Sequence, residues 1–143
     1  MYTDGGARGN PGPAGIGVVL MDADGTVVGE IARGIGRTTN NVAEYTAMIE
    51  GLKLALDKGF EGIDVYSDSK LVVMQLGGDW KIKNEGLRGL AVEARRLLNR
   101  FRDFQLSHVP REQNAEADRL ANQGMDVAAL DEGEPPDQTT FFT

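Results

Sequence analysis

Residues 42–68, VAEYTAMIEGLKLALDKGFEGIDVYSD, decide the fold. Val42, Tyr45, Ile49, Leu52 and Leu56 recur at three- and four-residue spacing, the apolar stripe of an amphipathic helix ending near Gly59. Asn40 or Asn41 supplies a side-chain oxygen to cap its first turn. Ile63 to Asp68 then reads as a strand. Working toward the N-terminus, Ile16–Met21 and Val27–Ala32 flank Asp22-Ala-Asp-Gly25, a hairpin signal. Before them, a short strand Met1–Asp4 runs into a glycine- and proline-rich loop, Gly5–Pro13. Toward the C-terminus, Ser67 or Ser69 opens a short helix through Leu76, and Gly77-Gly78 breaks it. Leu87, Leu90, Ala91, Ala94, Leu97, Leu98 and Phe101 make a second helical stripe. Phe104–Val109 is a strand halted by Pro110, and Asn114–Gln123 a last helix. Strands joined by tight turns pair antiparallel, and strands reached through helices add in parallel. The order β-β-β-α-β-α-α-β-α therefore predicts an α/β fold, a mixed sheet with helices on both faces.

Composition narrows the class. The 143 residues are 41% hydrophobic, enough for one core, and contain no cysteine. That excludes disulfide scaffolds, thiolate zinc sites and cysteine nucleophiles. The longest apolar runs, such as Ile16–Met21, are far too short to span a bilayer. The first residues have neither the basic nor the apolar segment of a signal peptide, so a cytoplasmic single domain is expected. The net charge is −7, but five of the 22 acidic residues lie from Asp126 onward, where there is no Lys or Arg. Residues 1–125 thus carry 15 basic against 17 acidic side chains, which does not exclude a nucleic-acid partner. Residues 126–143, acidic, aperiodic and containing Pro135-Pro136, are expected to form a flexible tail.

Four acids stand where acids are structurally expensive. Asp4 and Asp68 fall at the ends of strands, at the sheet edge where open α/β folds keep their sites. Glu44 lies one turn into the first long helix among small and apolar neighbours, and Asp118 within the last helix. Carboxylates that converge cannot all stay ionised without a cation. Oxygen ligands with no Cys and no nearby His select a hard ion, Mg²⁺ or Mn²⁺. Taken singly, each is as readily a solvated surface group.

The flanking motifs resemble ribonuclease H type 1, from Met1 to about Met125. They are Tyr2-Thr-Asp-Gly-Gly6 with Gly9-Asn-Pro-Gly-Pro13, Arg37-Thr-Thr-Asn-Asn-Val-Ala-Glu44, Tyr66-Ser-Asp-Ser69, and Asn114-Ala-Glu-Ala-Asp-Arg-Leu-Ala121. The resemblance implies a ribonuclease H-like fold, a five-stranded mixed sheet in order 3-2-1-4-5, with residues 1–125 as the catalytic domain. It implies metal-dependent hydrolysis of the RNA strand of RNA–DNA hybrids, leaving 5′-phosphate and 3′-hydroxyl ends. It assigns Asp4, Glu44, Asp68 and Asp118 as ligands of two Mg²⁺ ions, for which Mn²⁺ substitutes. Asn10, Asn40 and Asn41 would contact the hybrid, in part through the minor groove where 2′-hydroxyls are exposed. Arg37 and Thr39 would grip a phosphate of the DNA strand. A monomer is expected, with no membrane partner.

Several positions depart from the family pattern. Many relatives carry a histidine in the loop before the last aspartate; here Val109–Asn114 has none, and Arg111 is the candidate for a supporting role. His108, earlier and within a strand, reads as structural. The segment Gly77–Glu85 is too short for the basic protrusion of some relatives, leaving Lys81 and Lys83. Trp80 beside them either stacks on the DNA strand or belongs to the core. Asp4 stands only three residues from Met1. Competing readings are a non-catalytic hybrid-binding module and a nuclease of the same fold acting on other substrates.

Overall fold

A computed structural model describes residues 1–132. β2 (Gly12–Met21) and β3 (Val27–Thr38) form a hairpin joined at Asp22, whose carboxylate accepts from the Asp24 and Thr26 N–H groups. Gly25 completes the turn at φ 82°, a conformation that favours glycine. β1 (Tyr2–Ala7) pairs antiparallel with β2, and β4 (Gly62–Ser67) and β5 (Asp103–His108) extend the sheet in parallel. The order is β3-β2-β1-β4-β5, as the family pattern predicts.

Alternation along the strands sorts the helices. Val18 and Leu20 face a core built with Tyr45, Met48 and Leu52 of α1 (Asn40–Asp57), Val72 of α2 (Lys70–Leu76) and Leu97 and Leu98 of α3 (Glu85–Leu98). Gly15 and Gly17 face the opposite way, against α4 (Ala115–Asp131). These glycines are needed for close approach: a Cβ on Gly17 would lie 2.1 Å from the Ala117 carbonyl oxygen.

Three boundaries differ from expectation. β1 runs on through Gly5, Gly6 and Ala7, so Asp4 sits within the strand and not at its end. α1 is capped by Thr39, whose hydroxyl accepts from the Val42 N–H, and not by Asn40 or Asn41. The expected tail from residue 126 is corrected as far as Asp131, because Met125 and Ala128 are buried against the sheet and carry α4 onward. Asp126 pairs with Arg8, and Glu132 with Arg37. The rest of that tail lies outside the described residues. No helix among the described residues is long and apolar enough to cross a membrane.

Candidate active site

The sheet register builds the site. Thr3 pairs with Ser67 across parallel β1 and β4, so Asp4 and Asp68, one residue further on, come side by side. α1 lies directly on β1, because Gly5 has no side chain; a Cβ there would meet the Ala43 carbonyl carbon at 2.3 Å. That contact delivers Glu44, and the Gly5 N–H donates to its Oε1 at 2.7 Å. One carboxylate oxygen from each of Asp4, Glu44 and Asp68 lies within 4.8 Å of the others. Asp118, in the first turn of α4, borders the same cleft, which has a volume of about 630 Å³.

The electrostatics are those of a charge cluster short of counter-charge. Burial first, then the charge of Asp68 and the neighbouring Asp118 carboxyl, push Asp4 up to about 8, against the opposing Gly5 N–H. Glu44 is held well above the usual carboxylate range by burial and by the charges of Asp4 and Asp68. Among the described residues no Lys or Arg forms an ion pair with Asp4, Glu44 or Asp68. Asp118 differs, with the Arg111 guanidinium 3.6 Å from its Oδ1. Three clustered oxygen donors with a deficit of positive charge fit a hard divalent cation.

The other expected site residues divide. Asn40, Asn41 and Arg111 line the cleft. Asn10 stands one layer back, its Oδ1 accepting from the Asn40 N–H at 3.0 Å, while Asn40 Oδ1 accepts from the Ala7 N–H at 2.7 Å. Thr39 is engaged as the α1 cap, and Arg37, 56% exposed, reaches Glu132 Oε1 at 3.2 Å. Trp80 is neither core nor cleft wall: it is 42% exposed on the turn after α2, with Lys70 Nζ 5.9 Å from its ring centroid.

Two residues outside the expected set stand at the site. His108, read from the sequence as structural, is exposed and lines the cleft, because its partner Ser67 immediately precedes Asp68. Its place at the end of a strand, just before Pro110, was the available signal. Asn114 is buried, and its Nδ2 donates to the Thr3 carbonyl oxygen at 2.9 Å. It ties the start of the Asp118 helix to the strand of Asp4. Nothing local distinguishes such an asparagine from a helix cap.

A 3-2-1-4-5 mixed sheet with clustered carboxylates at its centre defines the ribonuclease H-like class. A family described as "Reverse transcriptase-like" matches residues 2–124. The chain is 50% identical over 127 residues to ribonuclease HI of Halobacterium salinarum, covering 89% of this chain and 64% of that protein. The crystal structure of that organism's ribonuclease H1 superposes with a TM-score of 0.86, covering 89% of this chain and 96% of that one. The N-terminal ribonuclease H domain of a Mycobacterium tuberculosis protein gives 0.88 at 50% identity, covering 91% and 94%. The full-length mycobacterial protein is described as bifunctional, and this chain spans 35% of its length. A ribonuclease H1 solved in complex with an RNA/DNA hybrid gives 0.83 at 43% identity, covering 89% and 96%. The chain belongs to the ribonuclease H family, type 1.

Proposed function

We propose that the chain hydrolyses the RNA strand of RNA–DNA hybrids, leaving 5′-phosphate and 3′-hydroxyl ends, and that it acts as a cytoplasmic monomer. The observation that carries this reading is the cluster of Asp4, Glu44 and Asp68 on the floor of an open cleft, with no basic ion-pair partner among the described residues. Asp4, Glu44, Asp68 and Asp118 would hold two Mg²⁺ ions, with Mn²⁺ able to substitute. Such ions, when bound, lower the pKa of a water and stabilise charge on the leaving oxygen of an in-line displacement at phosphorus.

The chain's own groups set the rest. The Gly5 N–H fixes one Glu44 oxygen and leaves the other free as a ligand. Asn114 fixes where the Asp118 helix meets the strand of Asp4. Asn40 is oriented by the Ala7 N–H at its oxygen, so its amide N–H groups are left to donate to the hybrid, with Asn41 beside it and Asn10 behind. Thr39 accepts a hydrogen bond as the α1 cap and so retains its own hydroxyl proton for a phosphate oxygen, next to the Arg37 fork. Arg111 offsets part of the Asp118 charge, and Trp80 offers an exposed ring to a strand leaving the cleft. The hybrid held by the compost-derived ribonuclease H1 supports the same substrate here.

Labelled RNA–DNA hybrid, RNA–RNA and DNA–DNA duplexes incubated with Mg²⁺, Mn²⁺ or EDTA test the reading. Metal-dependent cutting of RNA in the hybrid alone is expected. Cutting of every duplex, or of none with either metal, would leave a different nuclease or a hybrid-binding module.

A further inference from the structure

Two arginines close in the chain to residues of the cleft are already occupied. Arg8 follows Ala7, which lines the cleft, and its Nη1 lies 2.5 Å from Asp126 Oδ1. Its Nη2 also donates to the carbonyl oxygen of Asn122, another cleft residue, at 3.4 Å. Arg37 stands three residues before Asn40 and is held by Glu132. Both acids belong to the far half of α4 and its cap, beyond the point where the family resemblance ends. A carboxylate and a phosphate present similar paired oxygens to a guanidinium, so they compete for the same donors.

We propose that Asp126 and Glu132 act as internal competitors for substrate phosphate at Arg8 and Arg37, and so set the affinity of the domain for its hybrid. The inference rests on the hybrid reading above. Exchange is cheap on three counts. Both arginines are about half exposed, at 43% and 56%, and pairs at such positions contribute little. Glu132 holds Arg37 through Oε1 only, while its Oε2 is buried without a hydrogen-bond partner among the described residues. Release to water returns the hydration that this oxygen lacks. A phosphate backbone, finally, offers many anionic groups in place of one carboxylate. The two acids then lower affinity without touching the catalytic floor, which limits retention of cleaved product.

The test is a salt titration of binding to a short RNA–DNA hybrid, with Asp68→Asn present throughout to prevent cleavage. Glu132→Gln should tighten binding about two- to fivefold at low salt, the scale of one exposed ion pair. It should steepen the slope of log affinity against log salt by roughly 0.7–0.9, one additional neutralised phosphate. Asp126→Asn should act in the same direction through Arg8. In an Arg37→Ala background, Glu132→Gln should change nothing. Unchanged or weaker binding in Glu132→Gln, or an equal gain without Arg37, would overturn the proposal, the latter by showing general repulsion alone. Failure of the chain with Asp68 intact to cleave hybrid would instead strike the reading beneath it.

Discussion

The floor and the rim of the cleft are built on opposite electrostatic plans. On the floor, Asp4, Glu44 and Asp68 are brought together by paired strands and a helix laid against backbone, with no ion pair to balance them among the described residues. On the rim, Arg8, Arg37 and Arg111 each already hold a carboxylate, through exposed and adjustable side chains. The difference teaches where each kind of work is done. Charge left unpaired in a rigid, partly buried place costs stability and demands a cation. Charge paired at the surface costs little and is free to exchange.

The largest expected effect lies on the floor. Glu44→Gln or Asp4→Asn should lower hybrid cleavage by roughly a thousandfold, the loss of several kcal/mol of charge stabilisation, measured in single-turnover assays. Arg111→Ala on the rim should cost far less, about tenfold or below. Near-equal losses would erase the distinction.

Much of this contrast was legible in the sequence, but unevenly. The helix stripe from Val42 to Leu56 and the turn at Asp22–Gly25 gave element type and order directly, because burial on one face imposes a period. The four acids were legible through their motifs. The glycine-rich start was misread as loop, since Gly5 and Gly6 are strand residues chosen for close packing and not for turns. The last helix, expected over Asn114–Gln123, runs on through Gly124 to Asp131. Gly124 sits mid-helix, where a Cβ would meet the Arg33 carbonyl oxygen at 2.2 Å. Ion pairs on the rim, such as Arg37 with Glu132, join residues 95 positions apart and leave no local pattern.

Close packing supplies the next prediction. Gly5→Ala should destabilise the fold by about 1–3 kcal/mol and displace Glu44, because the new methyl strikes α1 backbone and cannot be relieved by a side-chain rotation. Chemical denaturation and the cleavage rate together check it. A stable, fully active variant would show that the floor is less rigid than described.

A pH experiment sharpens the comparison further. Asp4, pushed up to about 8, binds more protons folded than unfolded across the interval from the ordinary carboxylate range to about 8. Stability of the metal-free protein should therefore fall as pH rises through that interval, and be greatest near its acid end. Melting temperatures in EDTA should drop between pH 5 and pH 8, and adding Mg²⁺ should recover much of the loss at pH 8. Asp4→Asn should flatten the profile and raise the melting temperature at pH 8, while carrying the same large loss of cleavage. A profile that is flat in the unsubstituted protein would contradict the unbalanced floor.

The smallest effects belong to rim stability. Asp126→Asn and Glu132→Gln should each change folding stability by no more than about 1 kcal/mol, since both arginines are about half exposed and each amide keeps the shape of the acid it replaces. Denaturation midpoints within that margin fit a rim built for exchange. A larger loss would make these pairs anchors of α4.

Cleavage and binding by Asp68→Asn, measured together on one hybrid, test the central claim most directly. Asp68 joins the floor cluster and forms no ion pair among the described residues, so its neutral isostere removes a ligand and a negative charge with little structural disturbance. Cleavage should fall by roughly a thousandfold at every Mg²⁺ concentration, with hybrid affinity retained or improved. Cleavage at the unsubstituted rate would contradict the assignment of the floor as the metal-holding, catalytic part of the molecule.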